Sequence, residues 1–174
     1  MADYFIEPFV DTGLGNSAYL IGSHATKKGI LIDPLRDVDR YLHAASELGI
    51  QLTHVLDTHL HADFVSGNLE IANQTSAIIG ASAEAKAGFD HQPLTEDSVI
   101  DLGSFQIRVM TTPGHTPEHI SYLLVKPDGK TPSALFSGGA LIVGGAARTD
   151  LLSHEMTHPL ASHLYHTIHD KLLK

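Results

Sequence analysis

The sequence contains no cysteine. This absence excludes disulfide bonds, thiolate metal ligands and a cysteine nucleophile, and it suits a reducing cytosol. Long apolar runs are missing too, because no stretch approaches the ~18 residues that a membrane span requires. The first ten residues include two acids and no basic residue, which does not fit a signal peptide. We therefore expect a cytoplasmic protein.

Positive charge is scarce as well. The chain has 11 lysines and arginines against 20 aspartates and glutamates, which gives a formal net charge of -9. Nucleic-acid backbones and anionic membranes repel such a surface, so we expect neither as a partner. The length of 174 residues fits a single domain over residues 1–174, long enough to bury a core.

Short apolar segments alternate with turn residues along most of the chain, which predicts a layered α/β fold. Helices are predicted over residues 38–48 with Asp37 as N-cap, over residues 67–74, and over residues 159–173 with Thr157 near the N-cap. The predicted strands are residues 5–10, 17–21, 29–33, 53–58, 77–80, 99–102, 105–110, 120–125 and 133–137.

One histidine-rich segment carries a chemical pattern. The residues Thr58-His59-Leu60-His61-Ala62-Asp63 end a predicted buried strand and continue beyond it. Burying two imidazoles and a carboxylate is unfavourable unless something pairs with them. On an extended backbone, a spacing of two points His59, His61 and Asp63 to the same side. The segment therefore predicts half of a metal site, which ligands from elsewhere must close.

A second segment supplies another ligand. Thr112-Pro113-Gly114-His115-Thr116-Pro117 follows the strand predicted over residues 105–110. Proline and glycine predict a sharp turn that presents His115 beyond the end of that strand. With His59 and His61 it forms a three-histidine set, which leaves a fourth metal position for water. A lone H-x-H pair arises by chance, whereas both motifs placed after strands are much harder to obtain accidentally.

These motifs, together with Leu135-Phe136-Ser137-Gly138 and Arg148-Thr149-Asp150, resemble the metallo-β-lactamase superfamily. Within it the sequence is similar to the persulfide dioxygenase branch, including rhodanese-fused members, with glyoxalase II as a more distant relative. The resemblance implies a four-layer αββα sandwich with the metal at one edge of two packed sheets. It also implies a single Fe(II) held by two histidines and an aspartate, as in the dioxygenases, or one or two Zn(II), as in the hydrolases.

The sequence departs from the family's pattern in three places. Phe64 stands where most hydrolases have a histidine, which disfavours a second metal ion. Gly139 stands where the family has the aspartate of a T-G-D motif, which disfavours the Fe(II) set of two histidines and one carboxylate. The chain stops at Lys174, before the family's last P-x-H turn and closing strands. We therefore expect a sandwich that is incomplete at the C-terminus, with homo-oligomerisation covering the short C-terminal edge.

The site residues expected from the residues and the resemblance are these. One metal ion, Zn(II) rather than Fe(II), is held by His59, His61 and His115, and rotation of Asp63 toward it would favour iron instead. Asp63 is expected to act as general base or to orient water. Arg148 and His119 are the expected substrate-binding residues. Structural loop contacts between Arg148 and Asp150, and a solvent-facing position for His119 at the start of a strand, fit the sequence about as well.

The resemblance implies a metal-dependent hydrolase or dioxygenase-like enzyme. Its substrate would be a small thioester or persulfide, such as a glutathione conjugate, attacked through a metal-bound water or oxygen. Gly139 and the short C-terminus also support an alternative. In that alternative the chain is a degenerate relative with weak or no metal that serves as a binding module, or it is a truncated fragment.

Overall fold

The computed structural model describes residues 3–174. Over these residues the chain forms ten β-strands in two sheets and three α-helices. The strands are β1 (Tyr4–Asp11), β2 (Asn16–Ser23), β3 (Lys28–Ile32), β4 (Gln51–Leu56), β5 (Ile78–Ser82), β6 (Gln92–Leu94), β7 (Val99–Asp101), β8 (Gln106–Thr111), β9 (Ile120–Val125) and β10 (Pro132–Phe136). The helices are α1 (Asp39–Glu47), α2 (Asn68–Gln74) and α3 (His154–His166), the last of which continues into a π-helical segment, Thr167–Leu172.

The two sheets differ in strand direction. The first has the order β1-β2-β3-β4-β5-β6, antiparallel from β1 to β3 and parallel from β3 to β6. α1 joins β3 to β4 and α2 joins β4 to β5, which are the crossovers that parallel neighbours require. The second sheet has the order β10-β9-β8-β7 and is antiparallel throughout.

One hydrophobic core lies between the sheets. It joins apolar side chains of the first sheet, such as Ile30 and Leu56, to those of the second, such as Ile107 and Val109. A second core packs the opposite face of the first sheet against α1 and α2, with Tyr41 and Ile71 fully buried. α3 buries Leu160 and Leu164. The predicted αββα sandwich is thus the observed arrangement.

The predicted start of the last helix is wrong. α3 begins at His154, and its N-cap is Ser153, whose hydroxyl accepts a hydrogen bond from Met156 N at 3.3 Å. Thr157 is already inside the helix, where its hydroxyl donates to Ser153 O. Pro159 is tolerated inside the helix, although it removes one backbone donor. Ser153 decides the start because it is extended and caps with its side chain.

Two further local expectations differ from the structure. Asp37 is not the N-cap of α1, since that position belongs to Val38 and no side chain caps the helix. β6 was not predicted. It is three residues long, contains Pro93 and lies at the edge of the first sheet, where a short strand leaves almost no hydrophobic pattern to detect.

Over residues 3–174 no helix combines the length and the apolar character that crossing a membrane requires.

The turn after β8 is fixed against α3 by a close approach at Gly114. Its φ is +149°, and a Cβ added there would lie 2.4–2.7 Å from the Cβ, Cα and N of Leu164. The hydroxyl of Thr167 also donates to Pro113 O at 2.8 Å. The end of the chain therefore supports the turn that carries His115.

Gly114→Ala is expected to lower the free energy of unfolding by about 2–4 kcal/mol, because the methyl group meets backbone atoms that cannot easily move. Urea unfolding measures the loss. Gly88→Ala is the matched control, since a Cβ at Gly88 meets nothing within 4 Å, and it should change stability by less than about 0.5 kcal/mol. Equal losses in the two variants would contradict the close-packing interpretation.

Candidate metal centre

Two loops from different sheets meet at one edge of the sandwich. The first follows β4 and carries His59 and His61, and the second joins β8 to β9 and carries His115. Ile120 N donates to Thr58 O at 2.8 Å, and Leu60 N donates to the carboxylate of Glu118 at 3.0 Å. Glu118 is 8% exposed, so this bond is largely shielded from water. The two loops are therefore held together before any ligand is considered.

The first loop is bent rather than extended, because β4 ends at Leu56. The rings of His59 and His61 nevertheless lie side by side, with centroids 4.2 Å apart. The ring of His115 lies 4.7 Å from that of His59. The three predicted histidines therefore meet at one place. Asp63 does not follow the alternation expected of a strand, and its side chain is exposed at the rim.

His59 has one ring nitrogen bonded and one without a partner. Thr58 Oγ1 donates to Asp33 Oδ2 at 2.9 Å, so it accepts the proton of His59 Nδ1, also at 2.9 Å. Nε2 of His59 makes no hydrogen bond with any residue of the described chain. Burial, followed by the neighbouring His61, lowers the pKa of His59 from 6.5 to about 2. His59 is therefore neutral near physiological pH, with a lone pair on Nε2.

His61 is oriented by a buried carboxylate. Its Nε2 donates to Asp33 Oδ1 at 3.1 Å, and both side chains are less than a tenth exposed. Burial alone would lower the pKa of His61, but the hydrogen bond and the charge of Asp33 outweigh it and raise the pKa above 6.5. The pKa of Asp33 is lowered, because His61 and the Thr58 amide offset the effect of its burial. Nδ1 is the nitrogen left for a ligand, and a proton competes there.

His115 is held by the backbone of a later segment. Its Nδ1 lies 2.7 Å from Arg148 O. Since a carbonyl oxygen only accepts, Nδ1 carries the proton and Nε2 carries the lone pair. Each of the three histidines thus gives one ring nitrogen to a hydroxyl, a carboxylate or a carbonyl and keeps the other free. This is the arrangement usual for histidines that bind metal ions.

The free nitrogens do not yet form a closed cage. Among residues 3–174, the group of three potential ligands whose atoms all lie within 4.8 Å of one another is Asp33, Asp57 and His61. The three histidine nitrogens are not such a group. Closing a site around one ion therefore requires the three donor nitrogens to move closer together.

His119 is placed differently from the substrate-binding role predicted for it. It is 1% exposed, and its ring stacks on that of His59 at 5.0 Å. Nε2 accepts from Gly139 N at 3.1 Å, and Nδ1 lies 2.8 Å from the hydroxyl of Thr112. Burial lowers its pKa from 6.5 to about 3. The ring is neutral, both of its nitrogens are bonded, and it supports His59 from below.

Gly139 is buried against His115, at the position where the family pattern has an aspartate. A Cβ at this residue would lie 2.5 Å from Cδ2 and 2.9 Å from Cγ of His115. The ring of His115 therefore occupies space that a larger side chain needs. The structure shows no carboxylate in the place of the expected ligand, and it shows the histidine packed into the gap.

A cleft of about 900 Å³ opens above the three histidines. Asp63 lines it, as do Arg148 and the turn between β1 and β2. Arg148 makes a two-point ion pair with Asp150, Nε to Oδ1 at 2.6 Å and Nη2 to Oδ2 at 2.8 Å. Phe64 stacks on His61 with ring centroids 4.1 Å apart. The general-base role of Asp63 and the substrate contact of Arg148 stay predictions.

Two residues of this site were not predicted from the sequence. Asp33 follows β3 and orients His61 and Thr58, which lie 28 and 25 residues further along the chain. Glu118 binds the amide of Leu60, 58 residues away. A carboxylate directly before His119 in the turn was a visible signal. For Asp33, the only sequence signal was its position at the end of an apolar strand.

Comparison with known proteins establishes the family. The family model for the metallo-beta-lactamase superfamily matches residues 11–171, so the chain belongs to this superfamily. It is 30% identical to the mitochondrial persulfide dioxygenase ETHE1 of Mus musculus over 162 residues, 88% of this chain and 57% of that protein. It is 35% identical to a hydroxyacylglutathione hydrolase-like protein of Mus musculus over 130 residues, 75% of this chain and 46% of that protein.

A solved structure agrees with these relatives. The crystal structure of ETHE1 from Myxococcus xanthus matches with a TM-score of 0.84 at 34% identity, covering 97% of this chain and 69% of that chain. The predicted superfamily, its persulfide dioxygenase-like and glyoxalase II-like relatives, and the sandwich fold are confirmed. The chain spans about half the length of the curated relatives it matches.

Asp57 gives the metal-free protein a pH-dependent stability. Burial, together with the negative charge of Asp33, raises its pKa from 3.8 to about 7. The folded state therefore keeps a proton that the unfolded chain releases near pH 4, and stability falls as the pH rises from there to 7.

Asp57→Asn, which cannot ionise, is expected to gain about 3 kcal/mol relative to the wild type between pH 5 and pH 8. Denaturant unfolding in the presence of a chelator measures this gain. Asp90→Asn, at an exposed aspartate, should show no comparable trend. A stability difference between Asp57→Asn and the wild type that is the same at both pH values would rule out the buried proton.

Proposed function

We propose that the protein is a metal-dependent enzyme that acts on a small thiol-derived substrate, a thioester or a persulfide, as a hydrolase or dioxygenase-like enzyme. One observation carries the proposal. At the floor of one cleft, His59, His61 and His115 each bind a partner through one ring nitrogen and leave the other free. The relatives named for persulfide dioxygenase and hydroxyacylglutathione hydrolase-like proteins support the substrate class.

The donor set fits one metal ion. Nε2 of His59, Nδ1 of His61 and Nε2 of His115 are the atoms that would hold it. Three neutral imidazoles are a ligand set typical of catalytic zinc, whereas the iron set adds a carboxylate. Gly139 supplies none, and Asp63 is exposed at the rim, so we favour Zn(II) over Fe(II). When bound, the metal supplies Lewis-acid activation of water or an open position for a sulfur ligand.

The remaining residues act on protons and position. Asp63 lines the cleft beside His61, where a carboxylate can accept a proton from a water molecule or orient it. Asp33 keeps the proton of His61 on Nε2 and so directs Nδ1 outward. Arg148 O does the same for His115. Each of these contacts holds a donor atom in the direction of the cleft.

A second function has specific support. A degenerate relative without turnover is favoured by Gly139 and by the free nitrogens, which are not gathered within 4.8 Å in the described chain. In that case the cleft serves as a binding site. Metal content distinguishes the two functions. Cytoplasmic location and homo-oligomerisation stay predictions.

Protein purified without an affinity tag is expected to carry about one equivalent of zinc or iron. His59→Ala and His115→Ala should each weaken metal binding at least about 100-fold, because each removes a ligand atom. Elemental analysis and a competition titration with a chromophoric chelator measure both quantities. His163→Ala, which removes an exposed histidine of α3, is the matched control. The proposal of a metal-dependent enzyme would be refuted if the metal content were below about 0.1 equivalent and the His59→Ala substitution did not change it.

Gly139→Ala is expected to weaken metal binding about tenfold, since its methyl group displaces the ring of His115. The same chelator titration measures the loss. Gly145→Ala is the control, because a Cβ there meets nothing within 4 Å. If Gly139→Ala bound metal as tightly as the wild type, the packing of the His115 ring on Gly139 would have no part in metal binding.

A further inference from the structure

Large apolar side chains surround the mouth of the cleft and are exposed to solvent. Leu14 lies in the turn between β1 and β2 and is 48% exposed. Across the cleft, Ile142 and Val143 lie after β10 and are 49% and 106% exposed, and Leu151 is 37% exposed. Single exposed apolar residues are ordinary, but four around one opening mark a binding surface.

The charges lining the same cleft are balanced or negative. Arg148 is the sole lysine or arginine among the described residues that line it. The two-point ion pair with Asp150 places a negative charge directly against its guanidinium. The other charged lining residues are acids: Asp33, paired with His61, and Asp63.

Away from the three histidines, this pattern of side-chain charges disfavours the carboxylates of a ligand. Glutathione carries two carboxylates, and each would need a cationic partner to offset the loss of hydration. In this cleft such a carboxylate must either displace Asp150 from Arg148 or lie beside the negative charge of Asp150. The net charge of -9 adds long-range repulsion.

We infer that the cleft takes an uncharged, apolar thiol-derived compound, such as an alkyl or benzyl thioester, in preference to a glutathione conjugate. This inference rests on the proposed function for the thiol chemistry. The hydrocarbon group lies against Leu14, Ile142, Val143 and Leu151, and the sulfur points to the histidines. Specificity then comes from apolar contact and from the neutralised Arg148.

Two thioethers test this preference without any reaction. Benzyl methyl sulfide carries an apolar group, and S-methylglutathione carries the glutathione carboxylates. Neither has a free thiol, so binding to the protein as purified does not depend on thiolate ligation. Ligand-observed NMR titration should give a dissociation constant at least about tenfold lower for benzyl methyl sulfide.

Two variants connect the preference to the residues named. Val143→Ser should weaken benzyl methyl sulfide binding about fivefold, while Val99→Ser, at a 48% exposed valine outside the cleft, should not. Asp150→Asn leaves Arg148 unpaired, so it should strengthen S-methylglutathione binding at least about threefold and leave benzyl methyl sulfide unchanged.

Each outcome decides the question. Equal or tighter binding of S-methylglutathione by the wild type, or no binding of benzyl methyl sulfide below about 10 mM, overturns the inference. An Asp150→Asn variant with unchanged affinity for S-methylglutathione overturns the role given to the ion pair. If the protein lacks metal yet shows the preference, the proposed enzyme fails and the cleft specificity stands. If the protein holds metal and prefers S-methylglutathione, the inferred ligand preference is wrong and the proposed metal-dependent enzyme stands.

Discussion

The buried carboxylate of Asp33 accepts hydrogen bonds from Thr58 N at 2.7 Å, from Thr58 Oγ1 at 2.9 Å and from His61 Nε2 at 3.1 Å. An unpaired carboxylate in this position would be strongly unfavourable, so the loop after β4 is held to a geometry that satisfies it. The bond from His61 places a proton on its Nε2. The Thr58 hydroxyl donates to Asp33 and therefore accepts the proton of His59 Nδ1. The direction of both donor atoms follows from this one group.

The electrostatics of the site follow from the same pairing. His59 is half-buried and His119 is buried, neither has a carboxylate partner, and their pKa values fall to about 2 and about 3. His61 has Asp33, and its pKa rises. Asp57 lies near that negative charge with less compensation, so its pKa rises to about 7. The cluster therefore contains one charged pair, Asp33 and His61, and its other groups are neutral. This arrangement avoids the loss of hydration free energy that further buried charges would cause.

Much of this site could be predicted from the sequence, because its central residues lie in short motifs next to apolar strands. β9 was predicted residue for residue, and the three histidines do meet at one edge. The supporting contacts could not be predicted, since Asp33 and Glu118 act across 28 and 58 residues. The packing of His115 on Gly139 could not be predicted either, because a glycine in the sequence does not indicate which side chain packs against it. For His119, the sequence also left a solvent-facing position open, and its 1% exposure excludes that position.

The segment after β10 links the metal ligands to the cleft. Ala147 N donates to Gly139 O at 2.9 Å, and Arg148 O accepts from His115. The side chain of Arg148 is meanwhile held by Asp150 in the cleft wall. The backbone of Arg148 therefore orients His115, while its side chain lies in the cleft wall paired with Asp150. Because these two groups belong to one residue, the contact with His115 and the charge of the cleft wall are set within the same short segment. Since Ala147 also binds Gly139 O, the segment is tied to the residue on which the ring of His115 packs.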